Sequence, residues 1–368
     1  MTENKTGQHS LAGHPVLIGS LPLISHEQAL EWILKATPEI PLWAQLPANP
    51  IERMLTQFAD GIPCISETNP ADTDGKISFN ISAEGFEEAM LAFYEDYLAA
   101  VENPNTLDAS RFASARERTA GLYLLADKLQ KLPDILAVKG QVTGPFTMLT
   151  GIKDGKGRAG YFDETIRDMV IKGIAMKAAW QVRFLNNAGV GVKNVLLFID
   201  EPALAGLGSS AFIGVTAGEI KEMINEVVEA IHQVGGLAGI HVCANTDWGV
   251  LLDSAIDILS FDAYGFFDRI APLQQQIDAF LDRGGIIAWG GIPTSREEDI
   301  SRESCDSLVK LWHEQITAFT GSKRNEKEIL RQTLITPSCG TGSLSPELAG
   351  KVLDLTREVA VTLRREVL

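Results

Sequence analysis

Eight short apolar runs, separated by longer amphipathic stretches, constrain the fold of this chain more than any other feature. They lie at residues 16–20, 41–45, 135–140, 195–200, 237–242, 256–262, 285–290 and 333–337. Runs such as Val195-Leu196-Leu197-Phe198-Ile199-Asp200 are apolar on both faces. A strand of that kind belongs in a parallel sheet covered by helices on each side. Eight strand–helix units predict an α/β fold closed as a (β/α)8 TIM barrel. A doubly wound open sheet is the competing arrangement. Eight units are many for it, and no Gly-x-Gly-x-x-Gly follows the first run.

The units form a single catalytic domain over residues 14–368, with a polar, disordered tail predicted over 1–13. The second unit carries an insertion at about residues 60–82. There Gly61-Ile62-Pro63-Cys64-Ile65 and Lys76-Ile77-Ser78-Phe79-Asn80-Ile81 flank Asp72-Thr73-Asp74-Gly75, the pattern of a β-hairpin. Long helices are predicted at 83–101 and 109–132. The Gly/Lys-rich stretch 151–160 reads as a mobile lid.

Composition narrows the class. With 368 residues and 45% hydrophobic content, the chain can bury a large core. No apolar run approaches the roughly 20 residues that span a bilayer. The start carries no apolar signal core, so a cytoplasmic protein with no membrane partner is expected. A formal charge of −16 opposes nucleic-acid binding through a broad basic surface. Four cysteines in a chain this long are too few for a disulfide scaffold.

Polar residues recur at the C-terminal ends of the runs, where a barrel collects its reactive groups. They are Ser20, Gln45, Lys139, Asp200 with Glu201, His241 with Cys243, Asp262, and Cys339. Taken singly, each has an ordinary structural use: helix capping, snorkelling or core packing. His241-Val242-Cys243 at one strand end, with Cys339 three units later, is different. Two thiols and an imidazole make a soft nitrogen-and-sulfur set suited to Zn2+. Three ligands leave a position for a substrate thiol. Asp262 is a candidate fourth ligand, with a hydrogen-bonding role as its alternative. Cys64, Cys305, His9, His14, His26 and His313 lack partner spacing and read as packing or surface residues.

These motifs resemble the C-terminal catalytic half of cobalamin-independent methionine synthase, within the uroporphyrinogen-decarboxylase-like barrels. The likeness runs from about Val16 to the C-terminus. Ile18-Gly19-Ser20 is similar to the family's Ile-Gly-Ser, which contacts homocysteine. Lys139-Gly140-Gln141-Val142-Thr143-Gly144-Pro145 is similar to its Lys-Gly-x-x-Thr-Gly-Pro. Asp200-Glu201-Pro202-Ala203-Leu204 matches its Asp-Glu-Pro-Ala-Leu, whose Asp binds the substrate ammonium. His241, Cys243 and Cys339 match its zinc ligands. The resemblance implies a zinc methyltransferase that makes methionine from homocysteine, with Ile18, Gly19, Ser20, Asp200 and Glu201 holding the amino acid.

The chain departs from the family in four places. Asp262 stands where the family has a ligating Glu. Glu52 in Ala48-Asn49-Pro50-Ile51-Glu52-Arg53 does not align with the family's other substrate carboxylate. Residues 289–296 hold none of the histidine credited with proton donation. The folate-binding N-terminal half has no counterpart. Methylfolate needs its leaving nitrogen protonated, whereas a methylcorrinoid leaves without a proton. The expected donor is therefore a methylcorrinoid, not permanently bound, either free or on a separate corrinoid carrier protein. The alternatives are a corrinoid enzyme acting on another thiol of the coenzyme M type, a methyltetrahydrofolate-dependent synthase, a metal-free decarboxylase, and a non-enzymatic zinc scaffold.

Overall fold

The computed structural model describes residues 11–67, 77–132, 135–189, 194–207, 212–320 and 324–368. Six of the eight apolar runs form regular strands of one parallel sheet. These are β3 (Val138–Thr143), β4 (Val195–Asp200), β5 (Leu237–Val242), β6 (Ile258–Phe261), β7 (Ile286–Ile292) and β8 (Thr333–Pro337). They pair in sequence order. Helices lie between each pair of successive strands, the crossover that parallel neighbours need. The strand β1 (Ile65–Glu67) pairs antiparallel with β2 (Ile77–Phe79), which gives the expected hairpin its two arms. Its predicted turn, 72–75, lies outside the described residues.

The first two runs are extended but make no ladders. Single parallel bridges join Pro15 to Ile335, Ser20 to Gln45, and Leu42 to Lys139. Pro41 accepts from the Lys139 amide but has no N–H to donate back toward β3. The molecule is thus a curled six-stranded parallel sheet, clothed in helices, with two bridged segments spanning its open edges. That arrangement is compatible with a TIM-like barrel.

Three further expectations change. Residues 1–10 lie outside the described residues, but the tail expected over 1–13 is already packed at Leu11, and Gly13 N–H donates to the Thr333 carbonyl. The helix expected over 109–132 shrinks to Ala120–Leu129. The stretch before it is held irregular by Arg118, which donates to the Thr56 carbonyl and pairs with Glu67. The stretch 151–160 is tied down by Asp154, which accepts from the Lys156 and Arg158 amides, and by Lys153, whose carbonyl accepts from Phe79.

Strand alternation sorts the interior into layers. The lower layer is apolar: Ala137, Leu196, Phe198, Ile258, Ile286, Ala288 and Leu334 pack with Leu11, Val16 and Ile40. Each Leu, Ile or Phe buried there contributes roughly 1.5–3 kcal/mol. The intervening residues Leu197, Ile199, Ile240, Leu259 and Trp289 belong instead to the large cluster shared with the helices. Two residues beyond the lower layer, the same inward parity yields Lys139, Asp200 and Ser260. His241 continues the parity of Gly239. The polar residues therefore rest on an apolar floor at the C-terminal rim. No helix among the described residues is long and apolar enough to cross a membrane.

Candidate metal centre and its cavity

Parallel register brings the rim residues together. Asp200 pairs with His241 across β4 and β5, and His241 pairs with Ser260 across β5 and β6. The His241 imidazole is buried, and its Nδ1 lies 2.9 Å from Ser260 Oγ. Its Nε2 is buried and has no hydrogen-bond partner. A buried ring nitrogen without a partner is costly unless something else binds it. With Nδ1 engaged by a hydroxyl, Nε2 is the nitrogen left to hold a metal.

Cys243 continues β5 by one inward step, and Cys339 follows the end of β8. Both are free thiols. One ligand atom from each of His241, Cys243 and Cys339 lies within 4.8 Å of the others. The Cys243 thiol is drawn down to about 4, first by the Cys339 thiol beside it and then by His241, against its burial. Cys339 is pushed upward by the same pairing and by burial. Two sulfurs competing for one proton, beside an orphaned imidazole nitrogen, fit a soft divalent metal such as zinc.

This centre lies on the wall of a cavity of about 370 Å³. Ile18, Ser20, Gln45, Glu52, Arg53, Met54 and Asp200 share that wall. Asp200 is buried, and its Oδ1 has no hydrogen-bond partner. Burial pushes its carboxyl up to about 6, against the attraction of Lys139 and His241. Lys139 is wholly buried beneath. It donates to the Ile18 carbonyl and to Gln141 Oε1, and its ammonium lies 4.7 Å from the Phe198 ring centroid.

Glu201 and Asp262 do not join the donor set. Glu201 lies one step past the strand, with parity reversed. It is fully buried and is not among the cavity-lining residues. Its carboxylate accepts from the Phe146 amide at 2.9 Å, the Thr147 amide at 2.8 Å and the Thr147 hydroxyl at 2.6 Å. Those groups begin the helix Pro145–Gly151, so the Glu201 carboxylate clamps that helix and turns away from the cavity wall. Gly144 makes room for it, since a Cβ there would lie 2.1 Å from the Glu201 carboxyl carbon. Burial raises the Glu201 carboxyl to about 7 despite these donors. Glu201→Gln would turn an amide N–H₂ toward one of the backbone N–H groups. Stability should fall by about 1–2 kcal/mol, the scale of one unsatisfied buried group, measurable by urea titration.

Asp262 caps the helix Ala263–Ile270, accepting from Gly265 N–H at 2.7 Å. That is the hydrogen-bonding alternative to ligation. Glu52, left unaligned by the sequence, lines the cavity while accepting from the Leu46 amide and Asn49, with His26 Nε2 2.8 Å away. Ser260 escaped the sequence reading. Only the β5–β6 register shows that it faces His241. Of the other histidines, His313 lies 3.1 Å from Glu326, and His9 lies outside the described residues.

No protein-family model matches the chain. No curated protein sequence matches it. Among solved structures, a methyltransferase from Methanosarcina mazei is similar at 12% identity and a TM-score of 0.52, over 96% of this chain and 96% of that one. A protein of Listeria monocytogenes, provisionally named a vitamin-B12-independent methionine synthase, aligns at 16% identity and a TM-score of 0.42. That alignment covers 62% of this chain and 64% of the other, under two thirds of its length. The end-to-end likeness to the first shows a common fold.

Proposed function

We propose that this chain is a zinc-dependent thiol S-methyltransferase, with homocysteine as acceptor and a methylcorrinoid as donor. One observation carries the reading. Three soft donors converge on the wall of a cavity that also holds a buried, unpartnered carboxylate oxygen. The Methanosarcina neighbour is itself called a methyltransferase, in keeping with this class.

Zinc, when bound, supplies the charge that keeps a coordinated thiol deprotonated at neutral pH. The rest falls to the chain. Ser260 engages His241 Nδ1 and leaves Nε2 as the ring nitrogen for the metal. Asp200 Oδ1 accepts from the substrate ammonium. The apolar wall of Ile18, Pro47, Met54 and Pro202 covers the methylene chain between thiol and ammonium. On the β7 side, the Thr294 amide and hydroxyl are bonded to Ser338 Oγ, and residues 289–296 include no histidine. A donor whose leaving group departs unprotonated suits a chain with no histidine there, and a separate corrinoid carrier protein would present it. Arg53 on the cavity wall favours a second reading, a thiol with an acidic tail of the coenzyme M type.

The test is methyl transfer by zinc-loaded protein. Homocysteine with methylcobalamin should give methionine, and homocysteine with methyltetrahydrofolate little or none. Turnover with methylfolate alone would overturn the donor assignment. Faster turnover of 2-mercaptoethanesulfonate than of homocysteine would move the acceptor to the second reading. Failure with every thiol and donor would remove the enzymatic reading.

A further inference from the structure

Cys339 is the least supported of the three donors by secondary structure. It leaves β8 after Pro337, just where the ladder to β7 shifts register between Gly290 and Ile292. Two clamps hold it. On one side Ser338 N–H donates to the Ile292 carbonyl at 2.8 Å, and Ser338 Oγ accepts from the Thr294 amide at 3.2 Å. On the other side the partner is Ser20, more than three hundred residues earlier in the chain. Its carbonyl accepts from the Thr341 amide at 3.0 Å and the Thr341 hydroxyl at 3.1 Å. Its hydroxyl oxygen accepts from Gly342 N–H at 3.3 Å.

We propose that Ser20 is a positioning residue for the metal donor Cys339, acting through the Gly340–Gly342 turn. This rests on the metal-centre reading above and goes beyond the expectation that Ser20 contacts substrate alone. The fit at the turn is close. A Cβ on Gly340 would lie 2.1 Å from Ser20 Oγ, and one on Gly342 would lie 2.9 Å from Ser20 Cβ. A side chain at Gly340 would push the Ser20 hydroxyl aside, and one at Gly342 would also meet Pro47 Cγ at 2.9 Å. Ser20 is itself fixed from behind. It bridges to Gln45, the Gly19 carbonyl accepts from the Gln45 amide, and Lys139 holds the Ile18 carbonyl. A continuous set of contacts thus runs from the buried Lys139 through residues 18–20 to the loop bearing Cys339. Groups behind a metal ligand orient it, and their loss weakens the site even though they never touch the ion. The Ser20 hydroxyl accepts from Gly342, so its own proton stays available to the cavity.

The experiment is zinc competition against a chromophoric chelator, with no thiol and no methyl donor present. Ser20→Ala should bind zinc about 10-fold more weakly than wild type, the lower end of the range for an outer partner. Circular dichroism and melting should stay close to wild type. Gly340→Ala should lose more affinity, because its Cβ meets Ser20 Oγ. The double variant Ser20→Ala/Gly340→Ala should recover part of that loss, because the opposing oxygen is gone. If Gly340→Ala does not fold, Ser20→Ala alone decides. Zinc affinity of Ser20→Ala within about twofold of wild type, well inside the cost expected for an outer partner, would overturn the inference and leave Ser20 a substrate contact. A wild-type protein that takes up no zinc would overturn the metal centre and this inference with it.

Discussion

Replacing Cys339 by serine is expected to strip the protein of zinc while leaving it folded. Cys339 is one of three donor atoms within 4.8 Å of one another. A hydroxyl is a far poorer zinc ligand than a thiolate. Removing a direct ligand should cost more than the roughly 10–100-fold lost with an outer partner, so purified Cys339→Ser should carry little metal. The fold should survive because the loop is anchored elsewhere. Ser338 is bonded to Ile292 and Thr294, and Thr341 and Gly342 are bonded to Ser20. None of these bonds uses the Cys339 sulfur, and serine is the closest shape to cysteine. Metal analysis after dialysis, beside a melting curve of the metal-free proteins, separates the two effects. Stoichiometric zinc in Cys339→Ser would take Cys339 out of the centre. A collapsed melting temperature in the metal-free variant would make it structural.

That centre was more legible in the sequence than its surroundings. His241, Cys243 and Cys339 stand out as a set at strand ends, though each alone has ordinary uses, and the structure brings them together. The six regular strands were legible because runs apolar on both faces have one good environment. The first two runs look equally strand-like, yet they make only isolated bridges. Side-chain direction past a strand end was not legible. Asp200 and Glu201 are neighbours, but only Asp200 keeps the inward parity of Leu196 and Phe198, while Glu201 turns onto the Pro145–Gly151 helix. Asp262 was ambiguous because a carboxylate just before a helix serves equally as ligand or cap. Ser260 is a serine within an apolar strand and carries no signal until the register sets it against His241.

The last expectation concerns charge at the acceptor's far end. Asp200→Asn keeps the shape of the side chain and removes its charge. In the wild type Oδ1 is buried without a hydrogen-bond partner beside the metal donors. A charge-assisted bond to an ammonium placed there should be worth about 1.5–3 kcal/mol. Homocysteine affinity should therefore fall by roughly 10–150-fold in Asp200→Asn. Thiols of similar length with no amino group should be little affected, since they never used the carboxylate. The comparison matters because Asp200 has a second neighbour. Lys139 is wholly buried, its ammonium drawn down to about 8 by that burial, and the charge of Asp200 opposes the shift. Losing that charge should also lower stability. A loss of stability that unfolds part of the protein lowers apparent binding of every thiol alike, whereas loss of an ammonium partner acts on amino thiols alone. The ratio of the two affinities thus isolates the role of Asp200 in recognition. If both classes of thiol weaken equally, Asp200 serves to balance Lys139, and the ammonium partner must be sought elsewhere on the cavity wall, with Glu52 the first residue to replace.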